Sequence, residues 1–385
     1  MKHSIKFGLI GGMILFCLSM SLTSCEDILG HWEKPTPNPV TPGGGSSAIN
    51  ATAITLKQTM KVFVKGGDAL TITVTATPSD ATFTWESSDE AVATVENGVV
   101  TPVGAGIATI TAKSGDVTAT CEVFVGNEVD LGTKTDDYTV QNYDILKGTL
   151  NSSYAISIPN DSKVTFNGMK TTKQITCSGD ATIILADGSE NEVNVSEDFK
   201  AGIKIGGTST TLTIDAETVG DGQLTAQGGM SAAGIGTDRN GSGGNIVING
   251  GTVTAIGGNY GAGIGTGRAN AASITCGDIT INGGTVTATS GGNGAGIGTG
   301  LSSSSGGSNT CGAIMIGTGV TMVTATKGSS APNSIGKGEA YMGGTQTCGT
   351  ITIGGVEYWD GAAYQNGGDD ATTGLPHSPY IYPAP

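Results

Sequence analysis

The sequence predicts an all-β protein, a β-sandwich followed by a right-handed parallel β-helix of glycine-rich coils. Three observations carry that expectation. Of the 385 residues, 65 are glycine and only 13% are charged, so helices of ordinary length lack both rigid residues and supporting Glu, Lys and Arg. Thr, Val and Ile recur in short alternating runs bounded by turn residues, the pattern of strands. One glycine-rich unit, "NIVINGGTVTAIGGNYGAGIGTG" at 245–267, returns as "DITINGGTVTATSGGNGAGIGTG" at 278–300. Repetition in fixed order with drifting loop length is the mark of a solenoid. The formal net charge of −15 argues against nucleic acid or another polyanion as a partner.

Residues 1–24 read as a signal peptide. Lys2 and Lys6 precede the apolar run "FGLIGGMILFCLSMSL" (7–22), which is shorter than the ~20 residues of a membrane-spanning helix. The following Leu22-Thr23-Ser24-Cys25 resembles the lipobox of bacterial lipoproteins, which implies that Cys25 becomes an acylated first residue. Several acyl chains, at ~0.8 kcal/mol per buried CH₂, hold a protein firmly at a membrane. Glu26-Asp27 is similar to the acidic export signal of surface lipoproteins in Bacteroides-like bacteria. The resemblance implies a lipid-anchored protein of the outer membrane, exposed on the cell surface. Residues 25–50 continue as a linker, in which "EKPTPNPVTPGGGSSA" (33–48) favours an extended polyproline stretch loosened by Gly and Ser.

Residues 51–126 form the sandwich. "ALTITVTATP", "ATFTWESSD", "GIATITAK" and "TATCEVFV" alternate, with turn chemistry between them at sandwich spacing. Pro78, Trp85, "SSDEAVATV" (87–95), "NGVV" (97–100), "GAGIATITA" (104–112) and the closing "CEVFV" are similar to the bacterial Ig-like domain, group 2. That resemblance implies a core role for Trp85 and a turn at Gly104 and Gly106. It also implies a spacer or adhesive module without enzyme activity.

The β-helix is expected over 127–365, with its clear repeats at 222–355. The Ile of each Ala-Gly-Ile-Gly-like element falls at 235, 264, 297 and 335. These residues should form one inward ladder, and Ile248, Ile281, Ile316 and Ile353 another. Thr299 and Ser303 are expected nearer the loop, where a charge is tolerated. Gly-x-Gly runs such as "GGNYGAGIGTGR" can cradle phosphate, but here no helical pattern follows, the motif repeats, and no acidic residue sits ~20 positions on in a βαβ frame. Glycine is instead expected at coil corners that need positive φ and close backbone contact. Cys276, Cys311 and Cys348 recur with the coil, and "ITCSGDATI" (175–183) adds Cys177 to the same column. Buried unpaired thiols and disulfides both remain open for that column.

Over 137–221, "YAISI", "KVTFNG", "ATIILADGSENEVNV", "AGIKIGG" and "TLTIDA" are less regular coils. The pattern "CSGDATIILADG…NEV…AGI…LTID" running into "LTA…GG…AGIG" resembles the β-helical carbohydrate-binding domains of bacterial surface proteins. These are similar to pectate lyases in shape and bind polysaccharide and calcium. Where related coils read Asp-Gly-Ile, this chain reads Ala-Gly-Ile at 233–235, 262–264 and 295–297. No cofactor is therefore expected, with calcium left open and the metal ligands unknown.

An enzyme is not expected. A glycosidase needs paired carboxylates, yet between 222 and 355 only Asp238, Asp278 and Glu339 are acidic, at different offsets. His3, His31 and His377 lie at the termini and assemble no triad or metal site. The reading is a monomeric, non-catalytic carbohydrate-binding or adhesive module, with polysaccharide or host glycan as partner. The alternatives are a structural display or protein-binding protein, and a pectate-lyase-like enzyme. Arg239, Arg268, Leu301 and Glu339 each follow the repeat Ile by four positions and should line up beside the loops. Arg239 and Arg268, with Tyr260 and Tyr341 as stacking aromatics, are the candidate glycan contacts. At the far end Tyr358, Trp359 and Tyr364 are expected to cap the open helix. Residues 366–385 are expected as a tail, flexible or laid along the surface.

Overall fold

In the computed structural model, residues 49–218, 220–304 and 306–383 are described. The signal-like segment, Cys25 and the linker as far as residue 48 lie outside them. No helix is long and apolar enough to cross a membrane among the described residues. All regular structure there is strand, apart from one short 3₁₀ turn at Leu131–Thr133.

The sandwich forms where alternation predicts it. Gly106–Ser114 pairs antiparallel with Thr84–Ser87 on one edge and with Val117–Asp130 on the other, and Ala93–Glu96 pairs with Val99–Pro102. Ile72, Val100, Ile110, Cys121 and Val123 fill its core, with Trp85 packed against them and half-buried. Gly104 lies in the bend, but Gly106 already opens its strand.

The strand Val117–Asp130 crosses the expected domain boundary without a break. Its first part belongs to the sandwich, pairing also with Met60–Val64, while Asn127–Asp130 pairs in parallel with Asp144–Lys147 of the first coil. The last sandwich strand is thus the first rung of the β-helix and covers its open end. Glu217 braces the joint. Its carboxylate is buried, accepts the Val62 and Asp187 backbone N–H groups at 2.9 and 3.0 Å, and pairs with Lys61.

Beyond the joint the chain winds in parallel coils. One eight-stranded parallel sheet runs from Tyr138–Thr139 through Ile235–Gly236, Ile264–Gly265 and Ile297–Gly298 to Ile335–Gly336. Two further strand columns contain Asn245–Ile248 and Thr252–Ile256 in one coil, and Ile279–Ile281 and Gly284–Thr289 in the next. Both expected ladders form in register. Ile235, Ile264, Ile297 and Ile335 stack, as do Ile248, Ile281, Ile316 and Ile353, and all are buried. The later coils add a strand absent from the expectation: Ser273–Cys276, Ser308–Cys311 and Thr345–Cys348 form a sheet of their own.

Glycine at the corners follows from stacking. Gly236, Gly265 and Gly298 have φ of +140°, +131° and +130°, and a Cβ on any of them would lie within 2.0 Å of the next coil's carbonyl oxygen. No side chain fits there. The Thr that follows two residues after the Ile is buried, contrary to expectation. The hydroxyls of Thr237, Thr266 and Thr299 accept the N–H of Gly267, Gly300 and Gly338 one coil on, at 2.9, 2.9 and 2.8 Å. Thr299 and Ser303 are therefore inside the stack rather than at a tolerant loop, because a two-residue strand ends before alternation can carry them outward.

The cysteine column also needs correction. Cys276, Cys311 and Cys348 are in register, free and buried, with Sγ of Cys276 and Cys311 3.4 Å apart. Cys177 instead occupies the isoleucine sheet between Ile158 and Ile205, so it lies in a different column. Hydrogen bonding to Cys276 and Cys348, and then burial, push the Cys311 thiol well up.

At the far end the chain reverses. Val356–Trp359 runs antiparallel to Ile351–Ile353, which stops further parallel stacking. Trp359 is buried, donates Nε1–H to the Cys348 carbonyl at 3.2 Å, and meets Tyr364 edge-on at 5.0 Å. The tail is built into this cap: Leu375 and Tyr380 are buried, and Tyr380–Tyr382 adds antiparallel to Val320–Thr326.

Candidate functional site

The loop edge beside the isoleucine sheet carries the candidate residues, and stacked backbone bonds set their order. The N–H groups of Arg239, Arg268, Leu301 and Glu339 donate to the carbonyls of Phe199, Ser231, Tyr260 and Asn293, each one coil earlier, at 3.2, 2.9, 2.8 and 2.8 Å. The expected column is real. Leu301 is buried, however, and serves as floor rather than contact.

Three of the four candidate contacts meet in one open cleft of about 240 Å³. Tyr260, Arg268 and Tyr341 line it with Asn293, Ser303 and Glu339. The Arg268 guanidinium lies 4.9 Å over the Tyr260 ring and donates Nε–H to Ser303 Oγ at 2.8 Å. Stacking and that bond fix its plane, leaving the outer N–H groups for a ligand. Asn293 holds one oxygen of Glu339. Tyr341 is half exposed and Met342 beside it is 68% exposed. The cleft thus sets a ring, a guanidinium and amide and hydroxyl groups side by side on one rim.

Arg239, the fourth candidate, is not in the cleft. It sits one coil nearer the sandwich, with its guanidinium 4.7 Å over Phe199 and its Nε buried without a partner. Phe199 and Met230, both about half exposed, continue the ledge toward it. Sequence reading missed them because Phe199 precedes the repeats at 222–355 and Met230 stands in a loop position that changes from copy to copy. It also missed Asn293 and Met342, and a second groove of about 510 Å³ at the cap, lined by Tyr358, His377, Pro379, Tyr380 and Tyr382. The buried Tyr380 hydroxyl in that groove is pushed up by burial and by Tyr358.

The other carboxylates of the repeats are committed to structure. Asp238 faces Lys204 at 3.2 Å and Lys200 at 3.7 Å, and accepts the Ala201 N–H and the Gln174 side-chain amide. Asp278 accepts the Ala313 N–H at 2.8 Å. Ala233, Ala262 and Ala295, each the first residue of an Ala-Gly-Ile run, are fully buried. Among the described residues no three His, Cys, Asp or Glu side chains are grouped to hold a metal.

Residues 50–125 match the model of the bacterial Ig-like domain (group 2), and residues 246–268 and 279–301 match the model of the beta helix repeat. No curated protein matches the chain. The chain thus carries a bacterial Ig-like domain followed by β-helix repeats, a composition that fits a surface or binding protein.

Proposed function

We propose that this is a cell-surface lipoprotein, held in the outer membrane by acyl chains on Cys25, whose β-helix is a non-catalytic glycan-binding module. The observation that carries the reading is the cleft that joins Tyr260, Arg268 and Tyr341 on one rigid loop edge. An aromatic face packs on the apolar side of a sugar ring, while the guanidinium, Asn293 and Ser303 offer groups for its hydroxyls. The non-catalytic part rests on the carboxylates. Glycoside hydrolysis needs two within reach of one bond, and Glu339 is the one carboxylate lining this cleft. The sandwich, joined through one continuous strand, serves as a stiff spacer between anchor and site.

The test is pull-down of the full chain on pectin, mucin glycans and cellulose, with parallel assay for released reducing or unsaturated ends. Binding weakened by Tyr260→Ala, without product, is expected. Released ends would overturn the non-catalytic reading, and no binding on any glycan would favour structural display. Cys25→Ser should abolish fatty-acid labelling; labelling that persists contradicts the anchor.

A further inference from the structure

Arg239 and Arg268 are the only arginines in the chain. They occupy equivalent positions in successive coils, and the Asn240 N–H donates to the Arg268 carbonyl at 2.9 Å, which ties the two rungs directly. Each guanidinium is stacked on an aromatic ring, Arg239 on Phe199 and Arg268 on Tyr260. Among the described residues neither forms an ion pair, whereas seven lysine–carboxylate pairs do form. What sets the two arginines apart is their placement: two guanidinium groups with no carboxylate partner among the described residues, each over an aromatic ring, stand in successive coils on one ledge.

The surroundings make the ledge locally basic. Asp238, the nearest carboxylate in sequence, is taken by Lys200 and Lys204, and Glu197 is taken by Lys173. Asp198, exposed beside Phe199, is the remaining acidic group of that loop. With Glu339 of the Arg268 cleft, five cations stand against four carboxylates here, so the charge of the whole chain does not decide this site. The guanidinium fork binds carboxylate or sulfate oxygens in pairs, and stacking leaves its edge free to do so. Successive rungs are roughly 4.8 Å apart, which is comparable to the advance of one sugar residue along an extended chain.

We propose that Arg239 and Arg268 bind acidic groups on neighbouring residues of an anionic glycan, carboxylates or sulfate esters, with the chain lying over Phe199, Met230 and Tyr260. This rests on the glycan-binding reading and names its ligand class. The full chain is titrated with polygalacturonate and its carboxyl-reduced polymer, and with dextran sulfate and dextran. At least one acidic polymer should bind tenfold or more tightly than its neutral twin, and which one identifies the acidic group. Loss of a charge-assisted bond implies that Arg239→Ala and Arg268→Ala each weaken that binding about tenfold or more. Neutral-polymer affinity should change far less with Arg239→Ala. Arg239→Lys, which keeps the charge without the fork, should fall between and guards against misfolding of the alanine variant. Equal affinity for acidic and neutral twins, or acidic binding indifferent to both arginines, overturns the inference while Tyr260-dependent binding keeps the glycan reading alive. Absence of binding to all four polymers overturns the inference, and the glycan reading then stands or falls on pectin, mucin glycans and cellulose.

Discussion

Thr266→Val should destabilise the β-helix although it changes almost no volume. The Thr266 hydroxyl is fully buried, accepts the Gly300 N–H at 2.9 Å and donates to Asn309 Oδ1 at 2.6 Å. Valine leaves that N–H and that oxygen without their partner inside the stack. Each orphaned group costs about 1–3 kcal/mol, and the bond from Asn309 Nδ2–H to the Gly267 carbonyl does not satisfy Oδ1, so a total of about 2–6 kcal/mol is expected. Thr266→Ser keeps both bonds and loses one methyl group, about 1 kcal/mol. Thr254 provides the control: it lies on an outward column, half-exposed, and Thr254→Val should stay within about 0.5 kcal/mol. Urea denaturation at unchanged slope reads the difference as a shift in midpoint. If Thr266→Val were as stable as Thr254→Val, hydroxyl bridging between coils would not be what the repeated Gly-Thr-Gly supplies.

Two further outcomes follow from the same packing. Ile297→Asp puts a charge between Ile264 and Ile335 and should cost several kcal/mol, with melting far below that of the Thr254 control; equal melting would contradict the inward register. Burial pushes the Cys177 thiol from about 9 up to about 12. The folded state then favours the protonated thiol. Its contribution is full below pH ~9 and is lost as pH rises toward 12, at up to ~1.4 kcal/mol per pH unit. Under reducing conditions Cys177→Ala should flatten the alkaline fall in stability, and parallel curves would refute this.

Much of the stack was legible because period and register coincide. The isoleucine ladders follow from counting, since each coil repeats the same inward positions. Cys177 was misplaced because the string Ile-Thr-Cys occurs in two different strand columns, and local similarity does not count coils. Thr299 was misread because alternation fails past a two-residue strand. The Arg239 and Arg268 column was visible as a fixed offset from the repeat Ile. Convergence with Tyr341 and Asn293 depended on loop geometry, which carries no period. The continuity of Val117–Asp130 was hidden for a similar reason. A boundary in the middle of a strand has no turn to mark it.

Glycan binding at the loop edge is tested most directly by hydroxyl-radical footprinting of the full chain with and without bound polysaccharide. Met342 and Tyr341 at the cleft are 68% and 50% exposed, and Met315 and Met322 on the strand faces are 45% and 40% exposed. All four are open to oxidation in the free protein. Bound glycan should protect Tyr341 and Met342 severalfold and leave Met315 and Met322 unchanged. Protection of the strand-face methionines, with the cleft residues oxidised as before, would contradict the account.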